Sequence, residues 1–263
     1  MSTRDSYEPG TPCWVDLMSP DVDASATFYS GLFGWDAEDQ FDEDGTRIYT
    51  NFLRGGRVVA GMGGQMPEME GAPPAWNSYV AVADVDETTK KVEAAGGTVM
   101  MPAMAVMDQG RMAIYGDPTG AVISVWEAGA HTGAQVCNEP NVWSWNELMT
   151  RDVDAATTFY SAVFDWTYQG MEMPFGTYHV ITGGDEGGRG ALMAMPPGVP
   201  DLVPNHWTVY FMVEDADATV ERVRELGGQL VQGPDTAPGV GRIATVHDPM
   251  GGSFMIMQPA PRS

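Results

Sequence analysis

Basic residues are scarce in this chain. Thirteen Lys and Arg stand against thirty-six Asp and Glu, giving a formal net charge of −23 over 263 residues. A field of that sign repels phosphate backbones and anionic lipid surfaces, so nucleic acid and membrane are not expected partners. Cysteine is nearly absent: Cys13 and Cys137 do not make a disulfide framework. One bridge between them and two free thiols both stay open. No apolar run approaches the twenty residues of a membrane span, and residues 1–12 are polar, without the apolar core of a signal peptide. A cytoplasmic protein is expected. The four histidines form no HxH or HExxH pattern, and there is no CxxC, GxxxxGK[ST] or GxSxG. Glycine is plentiful but follows no three-residue period, which excludes collagen. The glycine-rich run Gly183–Gly188 has an acidic centre that would repel phosphate, so it reads as a hairpin turn.

What the chain does contain is a repeat. Trp14-Val15-Asp16-Leu17-Met18 returns 131 residues later as Trp145-Asn146-Glu147-Leu148-Met149. The same offset carries Phe28-Tyr29-Ser30 to Phe159-Tyr160-Ser161, Trp35 to Trp166, Trp76 to Trp207 and Gly96-Gly97 to Gly227-Gly228. It also carries Asp117-Pro118 with Gly120 to Asp248-Pro249 with Gly251. So many rare residues in register define two homologous halves, 10–129 and 141–260, joined by a linker over 130–140. Both are acidic, so neither is a separate charged module.

Each half divides again. Trp14 to Met18 alternates as a strand, Asp21 or Asp23 caps a following helix, and Val22, Ala26, Tyr29, Leu32 and Phe33 recur at helical spacing until Gly34. Arg47 to Met62, broken by Gly55-Gly56, reads as a hairpin, and Glu38 to Asp44 as a solvated acidic loop. Ser78 to Ala83, Val85 to Ala95 and Thr98 to Val106 repeat strand, helix, strand. Met112 to Tyr115 and Ala121 to Trp126 close the quarter. The fold class expected is α+β: four βαβββ units forming two tandem modules with strongly curved mixed sheets, helices on one face and a lined concavity on the other.

Tandem βαβββ units with Phe28-Tyr29-Ser30-Gly31-Leu32-Phe33-Gly34-Trp35 after the first strand resemble the vicinal oxygen chelate superfamily, which includes glyoxalase I, extradiol dioxygenases and bleomycin resistance proteins. Asp117-Pro118-x-Gly120 and Asp248-Pro249-x-Gly251 resemble its closing DPxGN element, with Ala121 and Gly252 where Asn is usual. The resemblance covers about 250 residues. In catalytic members it implies a divalent metal held by the first and last strands of each unit. Carried onto this chain, those positions hold Trp14, Asn77 and Glu127 in the first half, and Trp145, Thr208 and Gln258 in the second. Residues 60–62 and 191–193 add no carboxylate or imidazole. Such a set cannot converge on Zn, Fe, Ni or Mn. No metal site and no cofactor are expected, a divalent metal being the subordinate alternative.

Strand alternation offers a displaced site. Asp16 shares a face with Trp14, and Glu147 with Trp145. Asp16 with Glu127, and Glu147 with His206, are the candidate catalytic groups, each a potential general base tuned by burial. Trp14, Asn77, Tyr79, Trp145, His179, Thr208, Tyr210 and Gln258 are the candidate ligand-binding residues. Equally open is a structural role in which both acids accept backbone or tryptophan N–H bonds. His131, in the linker, is expected in solvent, and His247 at a turn. Met62, Met66, Met69, Met100, Met101, Met104 and Met107 either line the rims or fill core gaps. The occupant expected is a small apolar or aromatic molecule, a cationic one suiting the negative field. The favoured reading is small-molecule binding without the usual metal. The alternative is a lyase, isomerase or oxygenase using the displaced acids. Single-module relatives pair, so a fused chain is expected as a monomer or weak homodimer.

Overall fold

The computed structural model describes residues 3–65, 71, 73–173, 176–182 and 190–261. The first half runs β1 (Pro12–Ser19), α1 (Val22–Phe33), β2 (Asp36–Phe41), β3 (Arg47–Arg54), β4 (Arg57–Gly64), β5 (Ala75–Ala81), α2 (Val85–Ala94), β6 (Thr98–Val106), β7 (Gly110–Gly116) and β8 (Val122–Ala128). The second runs β9 (Trp143–Thr150), α3 (Val153–Phe164), β10 (Thr167–Met173), β11 (Gly176–Thr182), β12 (Ala191–Ala194), β13 (His206–Met212), α4 (Ala216–Glu225), β14 (Gln229–Ala237), β15 (Gly241–His247) and β16 (Ser253–Pro259). Met66, Met69 and Gly183–Gly188 lie outside the described residues.

Each helix starts where an aspartate can cap it. Asp21, Asp84, Asp152 and Asp215 accept the backbone N–H three residues on, at 2.9, 2.9, 2.9 and 3.0 Å, satisfying donors that a first helical turn leaves orphaned. Gly34 ends α1 in the left-handed region at φ 71°, and Asp165 takes the same conformation at φ 58° after α3.

Each half is one eight-stranded mixed sheet. The orders are β2-β3-β4-β1-β5-β8-β7-β6 and β10-β11-β12-β9-β13-β16-β15-β14. β1 pairs parallel with β4 and antiparallel with β5, and β9 pairs likewise with β12 and β13. The strong curvature expected of both sheets is corrected here: only the first half's sheet is strongly curved. Among the described residues its ladders carry five register shifts, against three in the second sheet. Bulges of this kind bend a strand and increase its twist. A second correction concerns the acidic stretch after α1, whose first part is edge strand β2 rather than loop. Its Asp36 and Glu38 side chains are exposed, a charged edge that discourages strand addition.

The two halves meet through their helices, α1 against α4 and α2 against α3, and directly through β5 against β13. One core joins β1, β3, β4 and α1, with residues of β5 and β8, to residues of β9, β13, α4, β15 and β16, and the other joins β5, α2, β7 and β8 to β9, α3, β11, β12 and β13. Each core therefore contains residues from both halves, so neither half closes its interior without the other. Gly97 shows how close the approach is: a Cβ there would lie 2.7 Å from the Phe159 ring of the opposite half. Trp35 donates to the Asn141 carbonyl at 2.8 Å, and Trp166 to the Gly10 carbonyl at 2.7 Å, the same bond made from each half. Cys13 and Cys137 are buried free thiols. Met62 is fully buried, whereas Met100 and Met104 on edge strand β6 and Met107 in its turn are exposed.

Candidate functional site

The site is built on the sheet faces turned away from the helices. On β1, alternation puts Val15 and Leu17 on the helix-covered face and Trp14 and Asp16 on the other, all four buried. Register places Tyr79 opposite Trp14 and Asn77 opposite Asp16. The Asp16 carboxylate is 5% exposed and accepts three hydrogen bonds. Asn77 Nδ2 donates to Oδ1 at 2.8 Å, while the Tyr49 and Tyr79 hydroxyls both donate to Oδ2 at 3.0 Å. Trp14 Nε1 in turn donates to the Tyr49 hydroxyl at 3.1 Å.

The second half repeats the cluster. Tyr178 donates to Glu147 Oε2 at 2.6 Å, Tyr210 to Oε1 at 2.8 Å, and Trp145 Nε1 to the Tyr178 hydroxyl at 3.0 Å. Thr208 stands opposite Glu147, in the place of Asn77. Tyr49 and Tyr178 were not among the residues singled out from the sequence. They lie 129 residues apart, two short of the repeat, so the hairpin between matched landmarks hides the correspondence.

Burial pushes both carboxyls above the ordinary carboxylate range, and their donors pull them partly back: Asn77, Tyr79 and Tyr49 for Asp16, Tyr178 and Tyr210 for Glu147. Burial and then the nearby carboxylate raise all four phenols, which keeps them protonated as donors. An ionised carboxylate has about four acceptor sites. Three are filled at Asp16, and two at Glu147, one on each oxygen.

The other candidates take different places. Glu127 is turned towards helix α2: its Oε2 accepts from Val85 N at 2.8 Å and meets Arg111 at 3.4 Å. Gln258 does the same for α4, accepting from Ala216 N at 3.1 Å. His206 shares the outer face with Thr208 and Tyr210, and its Nδ1 lies 2.8 Å from the Pro204 carbonyl. His179 is adjacent to Tyr178 on β11 and therefore faces the opposite side. His131 is not in solvent. Its ring packs edge-on against Trp14 at 4.5 Å and against Trp126 at 5.6 Å. Burial lowers its pKa to about 4, and Nε2 is buried without a hydrogen-bond partner among the described residues.

Among the described residues no group of three or more His, Cys, Asp or Glu is arranged to hold a metal ion. The implied ligand positions carry indoles, amides and a hydroxyl, and the one carboxylate among them caps a helix. This donor set does not fit a divalent metal.

Family comparison agrees with this architecture. The model of the Glyoxalase/Bleomycin resistance protein/Dioxygenase superfamily matches residues 13–125 and again 143–256. The chain belongs to that superfamily. Within it, the chain is 43% identical over 264 residues to CFP32 of Mycobacterium tuberculosis, named as a candidate glyoxylase, covering 100% of both chains. It is 39% identical to the anthracycline biosynthesis protein DnrV of Streptomyces peucetius, covering 96% of this chain and 94% of that one. Among solved structures it shares its fold with the Mn(II)-bound glyoxalase of Novosphingobium aromaticivorans, at TM-score 0.64 and 15% identity, over 96% of this chain and 88% of that one. The 2,3-dioxygenase LapB of Pseudomonas sp. KL28 matches at TM-score 0.64 and 13% identity, over 95% and 94%. This is the superfamily's small-molecule-binding fold, with other residues standing where its metal ligands would be. No helix of the described residues is long and apolar enough to cross a membrane.

Proposed function

We propose that this protein binds a small planar aromatic molecule on an outer sheet face, against an indole and a phenol-bonded carboxylate, without the metal set of catalytic relatives. The observation that carries the reading is the duplicated chain of tryptophan, tyrosine, buried acid and tyrosine. An indole offers a stacking wall, and a desolvated carboxylate with unfilled acceptor sites orients a ligand hydroxyl or ammonium. The relative named for anthracycline biosynthesis supports a planar polycyclic class, and the net charge of −23 favours a cationic member of it. In this reading the protein acts as a cytoplasmic monomer, the pairing of modules being made within one chain.

The test is a titration of the purified protein with an anthracycline, and separately with a neutral planar quinone, followed by tryptophan fluorescence with and without EDTA. Saturable quenching unaffected by EDTA is expected. Absence of saturable quenching by both probes, or its loss with chelator, would sink the proposal.

A second reading draws on the same raised carboxyls. An acid that burial raises above the ordinary carboxylate range, with an open acceptor position, can serve as general acid or base in a lyase or isomerase. Turnover of a bound ligand that is lost in Glu147→Gln, with binding retained, would favour this reading.

A further inference from the structure

The two outer faces bury their carboxylates equally, Asp16 5% and Glu147 4% exposed, and differ in what covers the indole beside each. Over the first, the linker lays His131 between Trp14 and Trp126. Trp126 shares the outer face because its neighbour in the parallel ladder, Ser124, is in register with Tyr79. The linker is fastened there. Trp126 Nε1 donates to the His131 carbonyl at 2.8 Å, His131 N donates to Gln109 O at 3.1 Å, and Ala134 N donates to Cys13 O at 2.8 Å. Trp14 and Trp126 are left only 4% and 6% exposed. Asp16 below them has three of its acceptor sites taken.

Among the described residues, the second face keeps the same floor but not the cover. Trp145 and Tyr178 are half-buried, and Met257, the counterpart of Trp126, is half-buried too. Thr208 replaces Asn77, so among the described residues Glu147 accepts from its two phenols, one per oxygen. This sheet is also not strongly curled, so its outer face is the flatter of the two. A less curved face with a half-buried indole, above a carboxylate that keeps one open acceptor on each oxygen among the described residues, suits a planar molecule bearing hydroxyl or amino donors.

We infer that the second half alone holds the ligand, one planar aromatic molecule per chain seated on Trp145, Tyr178 and Glu147, and that His131 closes the corresponding face of the first half. The inference rests on the binding reading above. It adds which half binds, the stoichiometry, and a linker residue that sets it.

Calorimetric titration with an anthracycline tests it on the full chain. The wild type is expected to bind one molecule. Trp145→Ala and Tyr178→Phe are expected to weaken Kd tenfold or more, whereas Trp126→Phe leaves it within twofold. His131→Ala is expected to raise the stoichiometry from one to two, and acrylamide quenching of the ligand-free variant reports directly on whether Trp14 and Trp126 have become accessible. A wild-type stoichiometry of two overturns the inference, as does a single site lost on changing Trp126 but not Trp145. A stoichiometry still at one in His131→Ala, with unchanged quenching, overturns the role given to His131. Each of these outcomes leaves the binding reading standing. No binding by the wild type or any variant removes that reading and the inference with it.

Discussion

The Tyr29 hydroxyl of helix α1 donates to the Asp248 carboxylate of the opposite half at 2.8 Å, and Tyr160 of α3 repeats the bond to Asp117 at 3.0 Å. Each phenol also accepts from a tryptophan of its own half, Trp76 at 3.0 Å and Trp207 at 2.8 Å. The second oxygen of each aspartate holds its own turn, accepting from Met250 N and Gly252 N, or from Thr119 N and Ala121 N. The Phe-Tyr and Asp-Pro elements that occur twice in the sequence are therefore partners in space, each reaching across to the other half.

Tyr29→Phe removes a donor from a buried carboxylate and should destabilise the fold by about 1–3 kcal/mol, with a similar loss for Tyr160→Phe. The two bonds share no partner, so the double variant should lose the sum of the two. Urea unfolding of the three variants measures this. A double variant no less stable than the weaker single one would mean that the two cores unfold separately.

Asp16 and Glu147 give stability a defined pH dependence. Both folded-state carboxyls are raised, so between the ordinary carboxylate value and the raised one the folded chain holds more protons than the unfolded chain. Their contribution is complete below the unfolded value and declines as pH rises through the folded one. Asp16→Asn and Glu147→Gln should each flatten that decline in unfolding midpoints recorded from acid to neutral pH. Unchanged slopes in both variants would show that the two acids are ordinary.

His131 acts with the opposite sign. Its folded pKa of about 4 lies below the ordinary 6.5, so stability from this group is present above 6.5 and is lost as pH falls towards 4. A histidine ring-proton titration by NMR should show one residue with a midpoint near 4, absent in His131→Ala. A midpoint near 6.5 would place the ring in water.

Glu127 and Gln258 hold helix starts by the same bond, so charge is dispensable there. Glu127→Gln should keep most of the stability, whereas Glu127→Ala and Gln258→Ala should each cost about 1 kcal/mol. Thermal or chemical denaturation checks the order. Equal losses for the Gln and Ala variants of Glu127 would show that its carboxylate matters through Arg111 rather than through the cap.

The sequence by itself determined the repeat, the capped helices, most of the strands and the outward face shared by Trp14 with Asp16 and Trp145 with Glu147. These follow from residue spacing and alternation, which are local. It could not show β2, because an exposed edge strand of Asp, Glu and Gln has the composition of a loop. Nor could it show that Tyr49 and Tyr178 complete the two clusters, since strand pairing brings them in from hairpins of unequal length. The turning of Glu127 and Gln258 to helix starts, the burial of His131 between two indoles, and the exchange of Tyr29 and Tyr160 across the halves were decided only by the tertiary structure. Each depends on which surfaces meet when two sheets close on their helices, and a buried polar group takes the partner that this closure leaves within reach.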